Sequence, residues 1–119
     1  MLRLKQCLKD IVNWCKKFDD TGWLQFTGPL GNVVRYRRKY GHVFVQTSAG
    51  NKALTASAWT TVGTLPAGFR PSQEIMMGSD TAGATGRAVA ASLYPSGEIK
   101  VYTTSATNYF KVHSCFPLD

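Results

Sequence analysis

The chain has 119 residues, enough for one domain with a core of its own. Hydrophobic residues make up 44% and charged residues 18%, too apolar a mix for disorder, and no apolar run approaches transmembrane length. The net charge of +7 divides unevenly: residues 1–20 carry five Lys/Arg against three Asp, and the remainder nine Lys/Arg against four Asp/Glu. Most of the basicity therefore lies beyond residue 20, where it admits anionic partners without selecting one.

Eleven Gly and five Pro among many Thr, Ser and Ala favour short strands and turns over helices. Cys7, Cys15 and Cys115 are an odd number with no metal-ligand spacing, which predicts no disulfide framework and a reduced compartment. Lys5, Lys9 and Asp10 interrupt any apolar signal core, so the expectation is no signal peptide and synthesis in the cytosol.

Residues 1–20 read as a helix. Met1, Leu4, Leu8, Ile11, Cys15 and Phe18 alternate spacings of three and four, a heptad seam, with Arg3, Lys5, Lys9, Asp10, Lys16 and Lys17 solvated between them. Val12 and Trp14 widen the apolar face, and Asp19-Asp20-Thr21-Gly22 ends it, with Gly22 as the stop. Under three heptads is too short for a free coiled coil. The helix must pack on partner chains, through Leu4, Leu8, Ile11, Cys15 and Phe18, or lie on its own domain.

Residues 21–119 read as a β domain. Trp23–Thr27 is a short strand, followed by a loop, Gly28-Pro29-Leu30-Gly31-Asn32. Val33–Tyr40 and His42–Thr47 are strands joined by a sharp turn at Tyr40-Gly41. In the latter, Val43, Val45 and Thr47 share one face and His42, Phe44 and Gln46 the other. Ser48–Ser57 is a polar surface loop. Trp59–Leu65 is the next strand, and Pro66-Ala67-Gly68 turns the chain so that Phe69 folds back onto the core.

Glu74–Met77 is a strand and Gly78–Gly86 a mobile loop by composition. Arg87–Tyr94 and Glu98–Thr104 form a hairpin about Pro95-Ser96-Gly97, with Ile99, Val101 and Thr103 inward. Tyr109–Phe116 is the last strand, alternating Phe110, Val112, Ser114 and Phe116 against Lys111, His113 and Cys115. Eight short strands at regular spacing predict a mainly β fold, an antiparallel sandwich of jelly-roll type with one N-terminal helix.

The stretch from Trp59 through Val62-Gly63-Thr64-Leu65-Pro66 to Gly68-Phe69-Arg70-Pro71-Ser72 carries a resemblance. It is similar to a phrase common in C-terminal head domains of phage and prophage tail proteins, the receptor-binding, baseplate or fibre-tip proteins of tailed phages infecting Gram-positive bacteria. Trp23-Leu24, Val33-Val34-Arg35-Tyr36-Arg37 and Val43-Phe44-Val45 extend the likeness over about residues 20–118. The resemblance implies a homotrimer with β-sandwich heads on a helical stalk, binding host cell-wall saccharide beside other tail or baseplate proteins. It implies a place in the virion tail.

Saccharide sites set an aromatic face against a sugar's C–H face, with polar side chains for the hydroxyls. The candidates are Tyr36, Tyr40, His42, Arg70, Tyr102, Asn108 and Tyr109, with Gln46 and Trp59 in the wider set. Trp23 and Trp59 otherwise read as core or protomer-contact residues. The run Arg35–Tyr40 alternates basic and aromatic residues, either a charged strand that blocks edge pairing or a surface for anionic polymer.

His42 and His113 lack ligand partners at metal spacing, so no metal and no cofactor are expected. Glu74, Asp80, Glu98 and Asp119 are too scattered for a catalytic pair, so no enzyme is expected. The competing functions are a connector without a ligand and a basic β domain for nucleic acid; no nucleic-acid partner and no membrane insertion are expected.

Overall fold

The computed structural model describes residues 2–16, 20–48, 50–80, 89–104 and 110–118, and not every side chain within them. One helix, α1 (Leu2–Lys16), precedes eight strands: β1 (Leu24–Thr27), β2 (Val33–Lys39), β3 (His42–Ser48), β4 (Trp59–Thr64), β5 (Ile75–Asp80), β6 (Val89–Leu93), β7 (Glu98–Thr103) and β8 (Lys111–Pro117). All the strand pairings are antiparallel, in the order β1-β2-β3-β8-β5-β6-β7-β4. The mainly β antiparallel fold expected from the sequence is the one formed, as a single sheet that doubles over and nearly closes on itself.

β5 makes the corner. Its first half, Ile75 to Met77, pairs with β6, and its second half, Gly78 to Asp80, pairs with β8. The expectation of a loop beginning at Gly78 is thus corrected: Gly78-Ser79-Asp80 is small and polar but finds a backbone ladder on β8. The rest of that expected loop lies outside the described residues.

The alternating residues fill the space between the layers. Val43, Val45, Ile99, Val101, Val112 and Phe116 are buried, with Val62, Leu65 and Leu93 beside them. The β2–β3 turn is tight because both central residues take positive φ, Tyr40 at 54° and Gly41 at 73°, the twist that suits a two-residue hairpin. At the corner after β4, Gly68 has φ 93° and the Phe69 amide donates to the Pro66 carbonyl at 3.2 Å. Phe69 turns inward, its ring edge-on to Tyr36 at 4.8 Å and beneath the Arg38 guanidinium at 5.1 Å.

The free edges β1 and β4 are joined by a side chain. Asn32, 1% exposed, donates from Nδ2 to the Val62 carbonyl at 2.9 Å and to Thr47 Oγ1 at 2.8 Å. Its Oδ1 accepts from the Leu30 amide at 3.3 Å, and Thr47 Oγ1 donates onward to the Val33 carbonyl at 3.0 Å. This buried amide stands in for the ladder that two edges would otherwise form. Gly63 fits the same seam: a Cβ there would lie 2.9 Å from Val34 and 3.1 Å from Phe26.

Gly22 does not cap the described helix. With φ 67° it follows Asp20, which bridges to Lys39, and Thr21, whose amide donates to the Arg38 carbonyl at 2.9 Å. It belongs to an irregular extension of the β1–β2 pairing.

Candidate functional site

Helix α1 carries an uncovered apolar stripe. Leu4 is 61% exposed, Leu8 54%, Ile11 57% and Val12 52%. The molecule measures 64 × 22 × 20 Å, so α1, about 22 Å long at 1.5 Å per residue, extends away from the sheet rather than lying along it. The reading in which the helix packs on its own domain therefore fails. Covering the remaining half of each of these side chains would contribute about 1–1.5 kcal/mol per residue. Phe18 and the Cys15 side chain lie outside the described residues.

Asp20, which bridges to Lys39, is also tied to β2 by an ion pair. Arg37 Nε donates to Asp20 Oδ1 at 2.8 Å, and Arg37 Nη2 pairs with Asp20 Oδ2. These bonds, with a further one from the Gly22 amide, hold the Asp20 carboxyl down at about 2. Trp23, 44% exposed and not a core residue, lies against the guanidinium groups of Arg35 at 5.5 Å and Arg37 at 5.9 Å.

The described members of the expected saccharide set do not all share one surface. Tyr36 is turned inward between Phe26, at 5.9 Å, and Phe69. Tyr40 stands in the β2–β3 turn, 58% exposed beneath the Lys39 ammonium, and His42 Nδ1 is 3.1 Å from the Tyr40 carbonyl. Arg70 donates from Nε to the Leu65 carbonyl at 2.9 Å and so braces the corner after β4. Tyr40, His42 and Arg70 belong to the end of the sheet at which Asp20 bridges to Lys39. Tyr102 lies on β7, toward the opposite end, and Gln46 on the outer face of β3. Asn108 and Tyr109 lie outside the described residues.

Tyr102 instead meets Trp59, a residue expected in the core or at a protomer contact. Trp59 is 49% exposed, with its ring 5.5 Å from Tyr102 at 46°. The cause is a bulge. Thr61 pairs with Lys100 and Gly63 with Ile99, leaving Val62 as the extra residue, so that Val62 and Gly63 are both buried. Without it, Trp59 would share the inner face with Gly63; with it, Trp59 stands outside beside Tyr102. Ala90 opposes Tyr102 on β6, and its small side chain leaves the edge of the pair open. Gly63 inside a strand was the available signal for this bulge.

The other outer face is cationic. β2 lies between β1 and β3, so its charges do not guard an edge, contrary to that reading of Arg35–Tyr40. Arg35 opposes Gln46, which opposes His113, which opposes Gly78, a row across four strands. Lys111 stands one row away, between Ser48 and Asp80. An open groove of about 370 Å³ is lined by Val33, Arg35, Gln46, Ser48, Lys111 and His113, with Thr47 and Val112 at its floor. Among the described residues no three His, Cys, Asp or Glu side chains gather as a metal site would require, and no helix is long and apolar enough to cross a membrane.

No family model matches this chain, and a search of curated proteins returns no significant match.

Proposed function

We propose that the protein is a non-catalytic head domain of a phage or prophage tail tip, displayed as a homotrimer through α1 and binding host cell-wall saccharide. The observation that carries this reading is the half-exposed stripe of Leu4, Leu8 and Ile11 on a helix that leaves the sheet. Such a stripe calls for identical neighbours, and three copies in register would place three heads side by side. Threefold display turns a weak sugar contact into useful avidity. The resemblance of the Trp59–Ser72 stretch to tail-tip heads supports the same assignment.

Trp59 and Tyr102 are the surface best suited to a sugar ring, since they offer aromatic faces to water beside the small Ala90. Two of the described carboxylates, Asp20 and Glu98, are each beside a cation, Arg37 and Lys100, which suits charge pairing on a binding module.

The test is retention of the intact chain on purified Gram-positive cell walls, compared with Trp59→Ala and Tyr102→Ala. Binding that drops at least tenfold in both variants supports the reading. Walls that retain nothing, while the chain assembles with tail or baseplate proteins, would make it a connector.

A further inference from the structure

We propose that the groove across the outer faces of β2, β3 and β8 is an oxyanion site for the phosphate groups of a phosphodiester-linked polyol or saccharide polymer. Its three cationic or cation-capable side chains come from two strands on either side of β3. Arg35 is on β2, and Lys111 and His113 are on β8, so they flank Gln46 and Ser48 across a span of about 10 Å, two strand spacings. A volume of about 370 Å³ falls within the roughly 300–1,000 Å³ range of small-ligand sites.

Guanidinium and ammonium groups supply the charge-assisted donors a phosphate needs, and the Gln46 amide and Ser48 hydroxyl suit the hydroxyl groups beside it. The sequence makes room for the arrangement. A Cβ at Gly78 would lie 2.7 Å from both Cε1 and Nε2 of His113, so only glycine on β5 lets that ring lie where it does.

The surrounding charge reinforces the groove. Arg37 and Lys39 alternate with Arg35 on the same face of β2, while Asp20, the carboxylate at that end, is bonded to Arg37.

The lining favours a polyol phosphate over nucleic acid. Single-stranded nucleic acid is held by flat aromatic platforms on which bases stack. Among the described residues the groove has none, and the nearby ring of Trp23 is taken up by Arg35 and Arg37. The choice of polymer rests on the tail-tip reading; the oxyanion site itself rests on the groove alone.

The experiment is an amide-shift NMR titration of the whole chain with inorganic phosphate, oligo(glycerol phosphate), neutral oligosaccharide and a random single-stranded oligonucleotide, at physiological salt. Phosphate should move the amides of Arg35, Gln46, Ser48, Lys111 and His113. Oligo(glycerol phosphate) should bind at the same place at least tenfold more tightly. Arg35→Gln and Lys111→Gln should each weaken it about tenfold, with dispersed spectra showing that both variants fold.

Absent shifts, shifts elsewhere, or variants that bind like the parent would overturn the site. An oligonucleotide that outcompetes oligo(glycerol phosphate) would overturn the polyol assignment in favour of nucleic acid. Retention of the chain on cell walls through Trp59, with no phosphate response, would remove the groove and leave the tail-tip reading standing. A phosphate response in a permanently monomeric chain would do the reverse.

Discussion

Replacing Asn32 by alanine should open the seam between β1 and β4. The substitution removes three hydrogen bonds, to Thr47 Oγ1, the Val62 carbonyl and the Leu30 amide. Each net bond is worth about 1 kcal/mol, and a buried group left without a partner costs about 1–3 kcal/mol more. Thr47 keeps its bond to the Val33 carbonyl, so the largest penalty falls on the Val62 carbonyl, in a residue with no solvent exposure. The sum is about 4–6 kcal/mol, a large share of the roughly 5–15 kcal/mol that holds a domain folded. In urea unfolding, at a slope of about 2 kcal/mol per M, the midpoint should fall by about 2–3 M with little change in slope. Asn32→Asp should be at least as damaging, because it sets a carboxylate oxygen against the Val62 carbonyl. A loss under about 1 kcal/mol for Asn32→Ala would refute the claim that this amide closes the sheet.

Other consequences concern the Asp20–Arg37 pair, the core and the aromatic pair. Because the carboxyl of Asp20 is held at about 2, below its ordinary 3.8, the stability it contributes is present above pH 3.8 and is lost as pH falls toward 2. An NMR titration of Asp20 should find its midpoint near 2, and Arg37→Gln should return it toward 3.8; an unperturbed midpoint in the parent would disprove the ion pair. Thr103 is fully buried and its hydroxyl has no partner among the described residues, so Thr103→Val should raise stability by about 1 kcal/mol in the same urea assay. Greater sensitivity to urea would show that the hydroxyl is bonded. Trp59→Ala should cost only about 1 kcal/mol, the worth of its contact with Tyr102; a cost of about 3 kcal/mol or more would return Trp59 to the core.

Much of the fold could be read from alternation. The inward sets Val43-Val45-Thr47 and Ile99-Val101-Thr103 are buried as their spacing implies, because a strand with one buried face carries that face in every second residue. The turns at Tyr40-Gly41 and Pro95-Ser96-Gly97 were equally legible, since they depend on local backbone preference; Gly97 takes φ 88° and its amide donates to the Tyr94 carbonyl at 2.8 Å. Non-local relations were hidden. Asn32 reads as an ordinary loop residue until β1 and β4 approach each other, and Gly78-Ser79-Asp80 reads as loop until β8 arrives beside it. Trp59 reads as core or protomer contact by type, and one inserted residue, Val62, turns it to the outer face. The cationic row needed strand order as well as alternation, because Arg35 and His113 become neighbours only when β8 returns to lie against β3. Tyr36, Tyr40, His42, Arg70 and Tyr102 shared suitable chemistry, but suitable chemistry carries no information about which end of a sheet a residue reaches.

The central claim is that α1 gathers chains, and the mass of the intact protein in solution tests it most directly. Light scattering after size exclusion should give three times the 13.1 kDa chain mass, and Leu8→Glu should return the single-chain value. A parent protein that stays at 13.1 kDa at every concentration, or a Leu8→Glu variant that remains threefold, would contradict it.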